Sequence, residues 1–295
     1  MRINTNVSSL NAQESSTLTN NKIKNSLEKL SSGLKINKAS DDASGLAIAD
    51  KLRTQVTSIN QGVSNGNSAI ALLQIADKSM AEQSNILDTV KAKLIQANTD
   101  TTSQAGRTAI AKDVNKLLEQ LGNIAKQTNY NGTNLLQATA TNGAAKTALS
   151  FQVGENARDE IKTTNIQANI TGYALNTLKG EVALGAAVSA GATAGTTNAF
   201  SRAMATAGQT AVDKAISTLN GYRGDIGSTQ NQVESAVRNL MTQSTNIKAA
   251  ESVIRDVDYA EESANFNKLN IISQAGSYAI SQSNATQQNV LRLLQ

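Results

Sequence analysis

Ser26-Leu27-Glu28-Lys29-Leu30-Ser31-Ser32-Gly33-Leu34-Lys35-Ile36-Asn37-Lys38-Ala39-Ser40-Asp41-Asp42-Ala43-Ser44-Gly45-Leu46-Ala47-Ile48-Ala49-Asp50 is the stretch whose reading decides the fold. Leu27, Leu30 and Leu34 step by three and four, so they share a helix face. Gly33 and Asn37 loosen the helix at a bend. Ser40 is the expected N-cap of the next helix, and Asp41 and Asp42 favour its N-terminus through the helix dipole. Two amphipathic patterns therefore meet at a polar elbow.

Working outward, the pattern before the elbow carries Val7, Leu10, Leu18, Ile23, Leu27 and Leu30. Polar residues between Asn11 and Thr17 weaken it, and alone it is marginal in water. After the elbow, Leu52, Val56, Ile59, Val63, Gly66, Ile70, Leu73, Asp77 and Met80 alternate by four and three, a heptad seam broken at Gly66 and Asp77. It runs to about Leu94. A loop at 98–103 leads to a third helix carrying Ile110, Val114, Leu117, Leu121 and Ile124. Two helices joined by so short a loop form an antiparallel hairpin.

Asn131-Gly132 then marks a tight turn, and Leu149, Phe151 and Val153 switch to a period of two, with Ile161 on the return strand of a short β-hairpin. Residues 166–202 are rich in Ala, Gly and Thr and read as a small exposed insertion with little to bury. The longest seam follows: Val212, Ile216, Leu219, Arg223, Ile226, Gln230, Val233, Val237, Leu240, Ser244, Ile247, Glu251 and Ile254, a span of roughly 60 Å. A last amphipathic segment carries Phe266, Leu269, Ile272, Tyr278, Ile280, Val290, Leu291, Leu293 and Leu294, and it is expected to pair with the first helix. The fold class is mainly α: a long antiparallel coiled coil or helix bundle with its terminal helices paired, plus a small β-hairpin region.

Composition agrees. Among 295 residues only 3% are aromatic, and there is no Pro, Cys, His or Trp. Missing Pro suits long helices, and Ala-rich faces suit close helix packing. The first residues hold one Arg and no apolar run, so no secretory signal peptide is expected. No stretch approaches the ~18 apolar residues of a membrane span. The net charge of +4 is scattered, with neither a basic face nor stacking aromatics, which excludes a nucleic-acid reading.

Catalysis finds no support either. Without His or Cys, the common general base, the thiol nucleophile and the imidazole ligand are missing, so no catalytic residue, cofactor or metal site is assigned. Helix capping explains Asp41-Asp42 and Asp256-x-Asp258 more simply than carboxylate chemistry does. Arg223-Gly224-Asp225 spells an adhesion tripeptide, but it lies inside a sustained heptad and reads as helix. Four Asn-x-Ser/Thr triplets, at Asn6, Asn131, Asn169 and Asn284, reflect an Asn- and Thr-rich composition.

The run from Ser26 to Arg53 resembles the N-terminal signature of bacterial flagellin. Arg255-Asp256-Val257-Asp258-Tyr259-Ala260-Glu261-Glu262, Gln274-Ala275-Gly276 and Gln288-Asn289-Val290-Leu291-Arg292-Leu293-Leu294 resemble its C-terminus, and the opening Met1-Arg2-Ile3-Asn4-Thr5-Asn6 fits as well. The resemblance implies a subunit exported unfolded through a type III apparatus and polymerised outside the cell into a motility filament. Its partners would be many copies of itself, an export chaperone, a filament cap and hook-junction proteins. Residues 1–42 and 255–295 would form the filament's inner core, 43–165 and 203–254 the helical shell, and 166–202 a variable exposed insertion. The core-helix assembly residues would be Val7, Leu10, Leu27, Leu30, Leu34, Phe266, Leu269, Ile272, Ile280, Val290, Leu291 and Leu294.

Two further expectations come from the resemblance. Flagellins often carry O-linked sugars on central residues, which makes Thr193, Thr196 and Thr197 candidates. The family's contact patch for a vertebrate innate immune receptor falls on Thr89, Lys93 and Asp113, where the expected Arg and Leu are lost and only the acid is kept; poor receptor activation follows. The alternatives to a filament subunit are a junction protein of the same export system, or a secreted adhesin or immune ligand.

Overall fold

Helices begin readily where a side chain can satisfy their first free backbone N–H groups and end where the chain can turn away. In the computed structural model, which describes residues 5–139, 143–187 and 200–293 with side chains to residue 289, α1 spans Val7–Ser32 and starts under Asn6, whose side-chain oxygen accepts from the Ser9 N–H. It stops at Gly33, whose φ of 73° is the left-handed conformation that favours glycine. α2 covers Ala43–Ala97. Its cap is Asp42 rather than the expected Ser40: Asp42 Oδ1 accepts from the N–H groups of Ser44 (3.0 Å) and Gly45 (2.9 Å). Asp41 holds the elbow itself, accepting from the backbone of Asn37 and Lys38, and these bonds keep its carboxyl below the ordinary carboxylate range.

α3 runs Gln104–Gln127 behind a Ser103 cap. The strands β1 (Asn129–Tyr130) and β2 (Thr133–Asn134) follow, joined by Asn131 and Gly132, both at positive φ, as the Asn-Gly signal requires. β3 (Ser150–Gln152) and β4 (Glu160–Lys162) pair antiparallel with Phe151 opposite Ile161. α4 is Asn176–Ala187, α5 is Arg202–Arg255 and α6 is Tyr259–Leu293.

The chain forms two compact units, one of residues up to Thr57 together with those from Ser244, the other Ser58–Gln243. Their limits fall inside α2 and α5, whereas the expected division at 42/43 and 254/255 follows the helix breaks.

The larger unit holds a continuous apolar core drawn from α2, α3, α4 and α5 together with Leu135, Leu136 and Ile166. α2 and α5 run antiparallel within it, as shown by contacts of Gly66 with Val237, Asp77 with Arg223 and Lys91 with Asp213. Its seams correct the expected register by one residue at every second position. The buried line on α2 is Ile59, Gly62, Gly66, Ala69, Leu73, Ala76, Met80, Gln83, Leu87, Val90, Leu94 and Ala97; Val63, Ile70 and Asp77 are only half-buried. The same shift puts Leu118 and Ala125 inside instead of Leu117 and Ile124, and Ala215 and Thr229 instead of Ile216 and Gln230. A hydrophobicity pattern gives weight to large side chains. Helices this close instead place Gly and Ala at the contact and leave the large residues flanking it.

The expected register returns near the end of α5. Val233 is followed by Val237, Leu240, Ser244, Ile247, Glu251 and Ile254, so the covered stripe steps over by one place at Val233–Val237. Gly66 faces both valines: a Cβ there would stand 2.4 Å from Val237 Cγ2. Gly62 makes room for backbone instead, since its Cβ would stand 2.2 Å from the Val153 carbonyl oxygen of the hairpin.

Within the expected insertion 166–202, the described residues 166–187 and 200–202 differ most from expectation, and 188–199 lie outside the described residues. Ile166, Ala168, Tyr173, Leu175, Leu178, Val182 and Phe200 are all buried in the core, and α4 packs on α3. Alanine and glycine hide the sparse large residues that anchor this segment. Tyr173 donates to Gln83 Oε1 at 2.8 Å, while Gln83 Nε2 donates to the Ala168 carbonyl at 2.9 Å and that of Leu121 at 3.3 Å. This satisfies a buried polar pair, and burial raises the Tyr173 phenol's pKa.

Candidate assembly surface

In the smaller unit α1 and α6 lie against each other in antiparallel sense. A covered stripe of α1 and its cap runs through Ser9, Ala12, Ser16, Thr19, Ile23, Ser26, Leu30 and Gly33 in a three-four alternation, with Glu28 and Lys29 half-buried beside it. That of α6 runs through Glu262, Phe266, Leu269, Ser273, Gly276, Ile280, Ser283 and Gln287 with the same spacing, and Asn270 is half-buried beside it. Small and polar residues dominate the seam, and in α1 itself only Thr19 and Ser26 are fully buried.

Hydrogen bonds cross it at three levels. Ser26 donates to Glu262, Ser273 Oγ bonds Asn20 Oδ1 at 3.2 Å, and Asn6 Nδ2 donates to the Ser283 carbonyl and hydroxyl at 3.2 Å each. At the elbow the Lys35 N–H donates to the Arg255 carbonyl and the Val257 N–H to that of Gly33, making Leu34 and Asp256 an antiparallel bridge. Asp258 caps α6 by accepting from Ala260 and Glu261. Of the acidic pair in the tail, Asp258 thus serves as a helix cap, while the Asp256 carboxylate accepts from the Ser252 hydroxyl.

Large apolar residues lie on the other side. Val7, Leu10 and Leu18 stand on the back of α1, and Ile271 and Tyr278 on the back of α6, all more than half exposed. Leu27 and Ile272 are exposed at the flanks. The expected assembly set therefore divides. Leu30, Phe266, Leu269 and Ile280 are half-buried in the seam and Leu34 at the elbow, whereas Val7, Leu10, Leu27 and Ile272 face out. Val290 and Leu291 belong to α6 beyond the described side chains, and Leu294 lies outside the described residues. Sequence reasoning missed Ile271. Counting from the seam to the opposite face of α6 would have found it.

Elsewhere, Lys93 Nζ and Asp113 Oδ2 stand 3.2 Å apart across α2 and α3, and Thr89 is exposed one turn before Lys93. Thr193, Thr196 and Thr197 lie outside the described residues. In the adhesion-like tripeptide, Arg223 pairs with Asp77 and Asp225 accepts from Thr164 Oγ1 at 3.0 Å, all within helix α5 or packed on it. Asn169 is buried, with its amide donating to Gln137 and the Gly143 carbonyl. Among the described residues no cluster of acids could hold a metal, and no helix is long and apolar enough to cross a membrane.

Comparison with known proteins agrees with this arrangement. Residues 3–141 match the family model of the bacterial flagellin N-terminal helical region, and 209–294 that of the C-terminal helical region. The chain is 35% identical to a flagellin of Bacillus subtilis over 303 residues, with both chains covered in full. It is 32% identical to the flagellar filament 30.7 kDa core protein of Treponema maltophilum over 295 residues, again covering both. A putative flagellar hook-associated protein from Vibrio parahaemolyticus shares the fold, with a TM-score of 0.58 at 13% identity over 73% of this chain and 99% of that one. Paired terminal helices at the two ends of one sequence and full-length kinship with filament proteins meet in one conclusion: this chain belongs to the bacterial flagellins.

Proposed function

We propose that α1 and α6 form the surface through which copies of this chain join, and that the apolar backs of these helices are covered only in the polymer. A flagellin is a structural filament subunit and not an enzyme, and the filament it builds is a bacterial flagellum. The observation that carries the reading is the placement of Val7, Leu10, Leu18, Ile271 and Tyr278 opposite a seam made mostly of small and polar residues. A helix pair with its apolar residues outside gains little from pairing in water, and neighbouring copies can bury that surface. A contact of this kind between unlike patches does not close on itself, and it propagates into an open helix.

The terminal helices are then loosely ordered in the free subunit and fold on assembly. This suits a chain secreted unfolded, accompanied by an export chaperone and received by cap and hook-junction proteins. A chain lacking residues 1–30 tests it: soluble helical monomers without filaments by electron microscopy are expected. Normal filaments from that truncation would overturn the reading.

A further inference from the structure

We infer that the hydrogen-bonded pairs Ser26–Glu262, Asn20–Ser273 and Asn6–Ser283 are a register key for α1 against α6, weak in the free subunit and decisive once neighbouring copies exclude water. The inference rests on the polymer reading above and adds to it how the two ends find one alignment.

The seam repeats every seven residues on both helices, so its shape alone admits a slip by one heptad. Its large apolar members, Ile23, Leu30, Phe266, Leu269 and Ile280, are few and none is fully buried, so they oppose that slip only weakly. The polar members are not evenly spaced. Sliding Glu262 seven residues along α1 takes it from Ser26 to Thr19, whose hydroxyl already donates to the Ser15 carbonyl, or to Gly33, which has no side chain. Exposed to water, a slipped register loses little, because water replaces each lost partner. Once copies cover the apolar backs, the seam dries, and every unmatched polar group keeps its desolvation cost. This is the logic of a single polar residue in a coiled-coil core, which selects register at some expense of stability. The backbone bridge at Leu34–Asp256 opposes the same slip, but its residues are exposed or half-buried, so water replaces its bonds in the free subunit, and Asn6 carries the alignment to the far end of α1.

The chain has no cysteine, so disulfides can report register cleanly. A Cβ on Gly276 would stand 4.0 Å from Ser16 Cβ, within disulfide reach, so Ser16→Cys with Gly276→Cys reports the native alignment. Ser9→Cys with Gly276→Cys reports the one-heptad slip, since those positions are otherwise about 10 Å apart along the axis. Both reporters are oxidised in the free full-length subunit and in filaments grown from sheared seeds.

With the native seam, the filament should give the native disulfide in excess over the slipped one by about tenfold or more, the ratio that one lost buried hydrogen bond sustains. The free subunit should give both in comparable yield. A keyless chain (Asn6→Asp, which keeps the Ser9 cap but loses the amide donor, with Asn20→Ala, Ser26→Ala, Glu262→Met and Ser283→Ala) should raise the slipped disulfide in filaments to the native level. Glu262→Gln, which still accepts a hydrogen bond, should keep the native pattern. Three results overturn the inference: only the native disulfide in keyless filaments, only the native disulfide in the free subunit, or loss of seed extension by Glu262→Gln as well as by the keyless chain. Loss of extension by the keyless chain alone supports it. An unmodified chain that does not extend seeds overturns the polymer reading and this inference together.

Discussion

Arg223 Nε donates to Asp77 Oδ1 at 2.8 Å, joining α5 to α2 across 146 positions of sequence. Each residue interrupts the apolar seam expected from residue order; in the fold both are half-buried beside the buried line, and they are partners. The hydrogen bond to Asp77 holds the Arg223 guanidinium more firmly protonated than usual. Both side chains are about a third exposed, so solvent screens the pair. A double-mutant cycle of Asp77→Ala and Arg223→Ala, read by denaturant unfolding of the whole chain, should give a coupling of about 0.5–1 kcal/mol. A coupling near zero would mean that the two interruptions are independent.

Gly66 and Gly62 should respond to alanine in different ways. At Gly66 the added methyl meets the tip of Val237, and overpacking should cost about 1–3 kcal/mol. Val237→Ala in the same chain should recover most of that loss, because the obstacle is a side chain. At Gly62 the methyl meets the Val153 carbonyl, and no side-chain truncation should recover stability. Thermal unfolding of the two single variants and the Gly66→Ala/Val237→Ala double variant checks both statements.

Acid should loosen the elbow. Backbone N–H bonds from Lys38 and Asn37 lower the folded-state pKa of Asp41 beneath its unfolded value. Its contribution is therefore complete above the unfolded pKa of about 3.9 and is lost as pH falls through the lower folded value. Hydrogen exchange at Asn37 and Lys38 should quicken in that acid window in the native chain. In Asp41→Asn those amides should exchange at a rate that no longer varies with pH beyond the intrinsic chemistry.

Lys93 is engaged with Asp113, so the acid that the family resemblance would place in a receptor patch is paired with a cation. Low potency toward the innate receptor is expected in a cell reporter assay. Thr89→Arg with Lys93→Leu should free Asp113, supply the missing cation and apolar contact, and raise potency by about tenfold or more, as restoring contacts near the centre of an interface does. Ordinary potency of the unaltered chain would contradict this account.

Much of the architecture could be read directly from residue order. The Gly33 break, the Asn131-Gly132 turn, the Phe151–Ile161 hairpin and the pairing of the first and last helices all follow from local rules: positive φ at glycine, a period of two in strands, and three-four spacing in helices. The cap at Asp42 was one step from legible, since Ser40 and Asp42 are equally good capping residues and only the chain path picks one. The core role of 166–182 was hidden by composition: Tyr173, Leu175 and Leu178 are too widely set among small residues to make a pattern.

Residue order by itself determined the helical class, the elbows and the pairing of the two ends, because these rest on backbone preferences and on spacing that neighbours in sequence already express. Tertiary structure alone decided which side of each stripe is inside: Gly62, Ala69 and Ala76 rather than Val63, Ile70 and Asp77, and Ser26 rather than Leu27. The physical reason is distance between helices. Where backbones approach closely the smallest side chains occupy the contact, and a scale of hydrophobicity carries no information about how near the next helix will come.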